Sequence, residues 1–356
     1  MSPTRRKHQE PPQSLGSGAW LIPATARIAL TGTPVENRLV ELWSIVDWVV
    51  PGLLGSLEQF KRSVAVPIER DGDPRATRRL ATTVAPFLLR RRKSDPGIAP
   101  ELPPKTERDV VVPLTAEQVT LYKATTAQVL LDLKDNEGLA RHGLVLKLLT
   151  ALKQITNHPA HYLRELGPLD GRSGKLDALD AIVDSALDGA ESTLIFTQYV
   201  AMANLIHAHL SARGDRVEVL HGGLSSAKRQ DLVDRFQAGD PRVLVLSLKA
   251  GGTGLNLTAA TQVVHYDRWW NPAVEDQATD RAYRIGQDKP VTVHRLITEG
   301  TVEDRVAQLL AEKRALADRV VGGAGEGWIG NLNDEELAAL VSLDEPLPLF
   351  SDGVAR

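Results

Sequence analysis

The sequence predicts an α/β protein: a doubly wound, mostly parallel sheet over residues 173–300, preceded by a mostly helical region. Three observations carry this. Beyond Gly171, short apolar runs alternate with amphipathic helical stretches. The run Arg242–Leu246 (RVLVL) places apolar residues on both faces, as in strands buried inside parallel sheets. A glycine-rich segment follows it directly, where open parallel sheets gather their ligands.

Taken in order, residues 1–23 are polar and rich in Pro, Gly and Ser, which predicts a disordered leader. Ala26–Leu30 reads as a strand entering a tight Thr31-Gly-Thr-Pro34 loop, the start of a region over 24–94 whose remainder protrudes as helices. From Glu36 to about Leu89 the pattern is helical, broken at Pro51-Gly52 and Asp71–Pro74. Proline-rich Asp95–Lys105 predicts an extended linker, and 115–163 long helices, so that 95–172 forms a linker and second helical region. Strands follow at Thr193–Phe196, Val217–Leu220, Arg242–Leu246, Gln262–His265 and Val291–Ile297. Helices are predicted at Ala201–Ala212, from the N-cap Ser225 to Ala238, and at Ala273–Ile285. Thr301-Val-Glu-Asp304 reads as a capping box opening a helix over 301–322 that buries Val302, Val306, Leu309, Leu310, Leu316 and Val320. Residues 323–356 read as a flexible tail with a short helix at Asp334–Val341.

Composition narrows the function classes. No apolar stretch approaches the ~20 residues of a membrane span, and the N-terminus lacks a secretory core, so a cytoplasmic protein is expected, nucleoid-associated if bacterial. Zero cysteines exclude disulfides, thiolate metal sites and cysteine nucleophiles. The nine histidines show no zinc spacing, and no metal site is expected. A net charge of −3 leaves DNA binding to a local basic surface. Arg78, Arg79, Arg90, Arg91, Arg92 and Lys93 supply such a cluster, or else a solvated helix face and linker.

Two segments carry chemistry. Leu246–Ala260 (LSLKAGGTGLNLTAA) brings three glycines within four positions, which lets backbone amides approach a phosphate closely; a plain tight turn is the bland reading. Asp276–Gln287 (DQATDRAYRIGQ) spaces Arg281 and Arg284 by three, so a helix would present both guanidiniums on one face for multidentate phosphate binding. Local ion pairs with Asp276 and Asp280 are the bland alternative.

Together these segments resemble the SWI/SNF-type branch of the superfamily-two helicases, the chromatin-remodelling and bacterial HepA-like DNA translocases. The resemblance spans roughly 24–322, in the family's order. Leu30–Asn37 looks like motif III, the last motif of the first RecA-like lobe. Leu89–Lys93 and Leu102–Lys105 resemble the linker, and Leu152–Pro159 the helical insertion. Ser173–Leu176 resembles the opening of the second lobe, Leu194–Tyr199 motif IV, His221–Ser225 motif IVa, and 246–260 motif V. Asp267–Pro272 and 276–287 resemble the last two blocks, and Thr261 stands where the family usually has an acidic residue.

The resemblance implies a RecA-like second lobe, a remnant of the first, ATP and Mg as cofactors, and double-stranded DNA as partner. It implies that Arg281 and Arg284 are arginine fingers on the γ-phosphate, with Gln277, Gly254 and Asp280 beside the nucleotide. Thr197, Gln198, Lys249, Gly252 and Thr253 would hold the phosphates of the tracked strand. Trp269 and Trp270 either stack on a base or sugar, or anchor the loop from beneath. Thr31, Gly32 and Thr33 would couple nucleotide state to DNA, and 302–320 would be the brace helix.

No G-x-x-x-x-G-K-[ST] loop and no Asp-Glu-x-His segment occur in the chain; Gly174-Lys175 is followed by Leu176. The expectation is therefore the C-terminal half of an ATP-driven DNA translocase, split, truncated or read from a late start, inactive alone, with most ATP and Mg ligands on the missing first lobe, which a separate polypeptide could supply. A non-catalytic DNA-binding or regulatory module is the alternative; a nucleotide-sugar enzyme on a similar sheet has no residue-level support. Ile28, Leu30 and Trp43 are expected to be exposed, or covered by a partner, where the first lobe's sheet is missing.

Overall fold

The computed structural model describes residues 23–343 except 32–34, 36–37, 90, 92, 94, 96, 135, 137, 248–254, 270–271 and 308–333. The chain divides into two compact units, one over residues up to 91 joined by 311–326, the other over 92–310 and from 327 onward.

The first unit is helical where described. α1 (Leu39–Val49) is followed by α2 (Leu57–Phe60), which passes through a π-helical turn, Lys61–Ala65, into α3 (Val66–Glu69). α4 (Pro74–Val84) starts where the sequence places a break: the Asp73 carboxylate accepts from the Arg75 amide, and Pro74 occupies the first turn, where its missing N–H costs nothing. Leu39, Leu42, Phe60, Leu80 and Val84 form a small core of their own.

Two expectations fail in this unit. Ala26–Leu30 is not a strand, because no other strand of the described residues lies in this unit to satisfy its backbone. Ile28 and Leu30 are exposed, at 80% and 94%, but Trp43 is buried at 7%: it belongs to the unit's own core, and its indole N–H donates to Gly55 O at 3.1 Å.

The second unit holds a six-stranded, all-parallel RecA-like sheet: β1 (Lys105–Val112), β2 (Ser192–Thr197), β3 (Val217–Leu220), β4 (Val243–Ser247), β5 (Ala260–His265) and β6 (Val291–Thr298), in the order β1-β6-β5-β2-β4-β3. Pleating sends alternate residues to opposite faces. Ile195, Val243 and Val245 meet α8 (Gly174–Asp188) and α9 (Val200–Ala212), whereas Leu194, Phe196, Leu244 and Leu246 meet α10 (Ser226–Gln237) and α11 (Pro272–Thr279). Burial on both faces is why these strands read as unbroken apolar runs.

β1 lies in the stretch read as linker. It pairs in register with β6, from Lys105↔Val291 to Val112↔Thr298, as the outermost strand. Its exposed Lys105, Glu107, Arg108 and Asp109 suit a free edge, since charge there opposes pairing with another chain. The long helices between β1 and the rest of the sheet are α5 (Ala116–Lys134), α6 (Gly138–Asn157) and the short α7 (Pro159–Leu163). Tyr122, Val129, Leu148 and Leu152 pack with Val302 and Val306 of α12 (302–307) and with Leu337 and Leu340 of α13 (Asp334–Val341). The remaining brace-helix residues, Leu309, Leu310, Leu316 and Val320, lie outside the described residues.

Candidate functional site

β2, β4 and β5 end side by side where the strand order reverses, the place where open parallel sheets hold their ligands. Asp267, just past β5, is fully buried there and ties three elements together. It accepts from the Thr197 hydroxyl, from the Gln198 backbone N–H at 3.0 Å and from Asn157 Nδ2 at 3.2 Å. Burial raises the pKa of this carboxyl, and the nearby Lys153 and the Thr197 bond offset only part of that rise. Thr197 is itself 0% exposed with its hydroxyl committed to Asp267, while the half-buried Gln198 donates Nε2 to Arg268 O at 2.6 Å.

The same carbonyl receives Lys153 Nζ at 2.6 Å, an ammonium whose pKa burial pushes down to about 8. Trp269 donates its backbone N–H to Glu275 Oε1 at 2.7 Å, and its half-buried ring packs on the core beneath β4 and β5. Arg268 Nε completes the corner with Glu275 Oε1 at 3.0 Å. Burial would raise the pKa of Glu275, but Arg268 and its other partners outweigh it and the net shift is downward.

The arginines are not on one helix face. α11 stops at Thr279, and Arg281 and Arg284 follow in turns, the first half-buried and the second exposed. Groups from outside α11 bond the carbonyls of these turns. Arg281 O is taken by Leu257 N at 2.9 Å, Ala282 O by Gln287 Nε2 at 3.1 Å, and Tyr283 O by Lys93 Nζ at 2.5 Å. Gly286 then turns the chain at φ +100°, a conformation that favours glycine.

The Arg281 guanidinium lies 5.9 Å over the Phe196 ring, and that ring stacks on His265. Burial lowers the pKa of Arg281, and its Nη1 is buried with no hydrogen-bond partner among the described residues. His265 is held neutral, pushed down to about 4 by burial, with Nε2 on Thr279 Oγ1 at 2.9 Å.

Of the other expected site residues, Gln277 is exposed on α11, and Asp280 is exposed with its carboxylate on Lys93 at 2.6 Å. Thr31 is exposed. Lys249, Gly252, Thr253, Gly254, Trp270, Gly32 and Thr33 lie outside the described residues. Thr261 is buried, and its hydroxyl has no partner among the described residues.

Two features beneath the site escape sequence reasoning. Gln287, 3% exposed, donates Nε2 to the carbonyls of Thr258, Ala260 and Ala282 and accepts from Lys289 N, so one side chain closes the glycine-rich segment onto the arginine turn. Lys175 and Glu303 form a fully buried ion pair at 2.7 Å, and Lys175 also reaches Asn157 Oδ1 at 3.1 Å. This pair joins the start of α12 to the residue that holds Asp267.

The comparisons with known proteins agree with this geometry. The SNF2-related domain matches residues 19–161, and the helicase conserved C-terminal domain matches 174–286. YwqA of Bacillus subtilis (strain 168), described as an ATP-dependent helicase/translocase, is 47% identical over 89% of this chain, which spans 34% of that relative's length. The SWI2/SNF2 ATPase core of Sulfolobus solfataricus, solved in complex with dsDNA, is 42% identical with a TM-score of 0.61, covering 90% of this chain and 67% of that one. The C-terminal domain of the Sulfolobus solfataricus ATPase is 38% identical with a TM-score of 0.58, over 68% of this chain and 100% of that domain. Two family matches in the motifs' order, together with a solved domain covered over its whole length, establish that the chain belongs to the SWI2/SNF2 ATPase family.

Proposed function

We propose that the chain works as the second half of an ATP-driven double-stranded DNA translocase. Arg281 and Arg284 stabilise charge on the transferring phosphoryl group, with Gln277, Asp280 and Gly254 beside the nucleotide. The observation that carries this is the half-buried Arg281, whose Nη1 has no hydrogen-bond partner among the described residues. A buried guanidinium donor without an acceptor suits an anion delivered from outside the lobe. An arginine finger contributes about 10³–10⁵ in rate, roughly 4–7 kcal/mol of transition-state stabilisation.

DNA contact is then assigned to Gln198, Lys249, Gly252, Thr253, Trp269 and Trp270. Thr197 acts behind them, fixing Asp267, and Thr31, Gly32 and Thr33 couple nucleotide state to DNA. The contacts favour phosphates over base edges, so binding is insensitive to sequence. ATP is the substrate, and Mg supplies charge neutralisation when bound. No group of three or more His, Asp or Glu side chains able to hold a metal ion occurs among the described residues. With no Walker loop among these 356 residues, the phosphate cradle and Mg ligands are those of a first motor lobe outside them.

The test is double-stranded DNA binding by fluorescence anisotropy across salt concentrations. The expected result is affinity that falls with salt, ignores sequence and weakens in Trp269→Ala and Gln198→Ala. No binding at low salt overturns the proposal. A module that keeps the DNA face without the motor, the second reading, gives the same binding but no ATP turnover with any polypeptide carrying Walker loops.

A further inference from the structure

The basic linker cluster reads from sequence as either a DNA surface or a solvated stretch, and the structure gives its last member another task. We propose that Lys93 is a positioning residue for the arginine turn: with Pro103 and Lys105 it struts Tyr283, and so sets where Arg281 and Arg284 point. This rests on the motor reading for its functional consequence, though not for its geometry.

Tyr283 sits between the two arginines in turns beyond the end of α11, and its own N–H still bonds Thr279 O at 3.0 Å. The Lys93 ammonium reaches Asp280 Oδ1 at 2.6 Å, Tyr283 O at 2.5 Å and the Tyr283 ring at 5.6 Å. An ammonium has three N–H donors, and here a carboxylate, a carbonyl and a π face stand within reach of it. The Tyr283 hydroxyl donates to Pro103 O at 3.0 Å, and the Lys105 ammonium stands 5.5 Å from the same ring. The linker therefore holds the ring through its carbonyl, its face and its hydroxyl. The turn's backbone is held locally by the Tyr283 and Ala282 amides on Thr279 O, so the linker contacts are what fix the carbonyl, ring face and hydroxyl of Tyr283. Two of the three Lys93 donors are committed to Asp280 and Tyr283, which separates Lys93 from the exposed Arg91 of the same cluster.

The experiment compares Lys93→Met and Lys93→Arg with the wild-type 356-residue chain. In hydrogen exchange, Lys93→Met is expected to speed exchange across 280–287 by about tenfold while α8 is unchanged. Lys93→Arg is expected to restore protection, because a guanidinium can serve the same acceptors. Unchanged exchange at 280–287 in Lys93→Met overturns the proposal. The salt slope of DNA affinity is expected to stay at the wild-type value; a slope shallower by about 0.9 makes Lys93 a phosphate contact and also overturns it.

Combined with a polypeptide carrying the Walker loops, Lys93→Met is expected to lower kcat by roughly 10- to 100-fold with KM for ATP within about twofold, since misplaced catalytic groups cost rate more than ground-state binding. An unchanged kcat overturns the functional half. Absence of turnover in the wild-type mixture instead counts against the motor reading, and the exchange arm still decides the role of Lys93.

Discussion

Replacing Glu303 by Gln removes the negative member of the one fully buried ion pair among the described residues, and the structure sets what that should cost. Lys175 and Glu303 are each 0% exposed in their side chains and stand 2.7 Å apart. At an effective dielectric near 20, that separation corresponds to about 6 kcal/mol of attraction, most of it offset by the desolvation of both charges. The pair is therefore no large net source of stability. Breaking it is a different matter. Lys175 would keep only Asn157 Oδ1 at 3.1 Å and the face of Tyr266 at 5.9 Å. Glu303 also accepts the Thr298 amide through Oε2, so glutamine, with a single acceptor oxygen, must forfeit one of two bonds.

An uncompensated buried charge costs about 3–5 kcal/mol. For a unit of this size each kcal/mol lowers Tm by roughly 2–4 °C, so Glu303→Gln should lower it by about 6–20 °C. Thermal unfolding followed by circular dichroism reads the shift directly. A Lys175→Met/Glu303→Gln double variant removes both charges and should recover at least half of the loss, giving a coupling energy above about 1.5 kcal/mol in the cycle with its two single variants. A Glu303→Gln shift within about 2 °C, or strict additivity in the cycle, would refute the claim that the two charges depend on each other.

Acid should destabilise the lobe in a defined window. His161 and His265 are both held near pH 4 by burial, against about 6.5 when unfolded. The unfolded chain then binds more protons between these values, so stability is present above pH 6.5 and lost as pH falls from 6.5 to 4, by at most about 3 kcal/mol per histidine. Urea unfolding at pH 7, 5.5 and 4.5 checks this; a stability flat across that range sinks it. Gln287→Ala removes the amide shared by the Thr258, Ala260 and Ala282 carbonyls, and should cost about 1–3 kcal/mol with faster exchange at both 257–260 and 280–287. Unfolding curves with exchange by mass spectrometry measure both, and a cost under about 0.5 kcal/mol would show the carbonyls are not held as described.

Much of the RecA-like lobe is legible in the sequence because its strands are buried on both faces. The runs at 193–196 and 242–246 admit little else once helices separate them. β1 is not legible for the opposite reason. Lys105–Val112 is half charged because it forms the free edge, and its partner β6 lies about 180 residues later, so no local pattern announces it. The helix at 273–285 misleads differently. Its side-chain spacing is helical, yet α11 ends at Thr279, and contacts from residues distant in sequence, Leu257 N–H on Arg281 O and Lys93 on Tyr283 O, leave no trace in periodicity.

The site divides along the same line. The glycines, the arginines and the tryptophan corner announce themselves by type and spacing. The polar residues beneath them do not: Asn157, Lys175, Asp267 and Glu303 are scattered along the chain, and each alone reads as an ordinary surface residue. Ser173-Gly-Lys175 carries the only hint, a lysine one turn into a helix whose neighbours Leu176 and Leu179 face the core.

The central claim is that this chain supplies arginine fingers to an ATPase whose phosphate cradle lies elsewhere. The direct measurement is DNA-stimulated ATP hydrolysis by the purified chain, alone and mixed with a polypeptide carrying the Walker loops, each beside an Arg284→Ala variant. The account predicts no turnover by the chain alone, turnover in the mixture, and about a 10³-fold loss there in Arg284→Ala. Turnover by the chain alone that Arg284→Ala abolishes, or a mixture indifferent to Arg284, would contradict it.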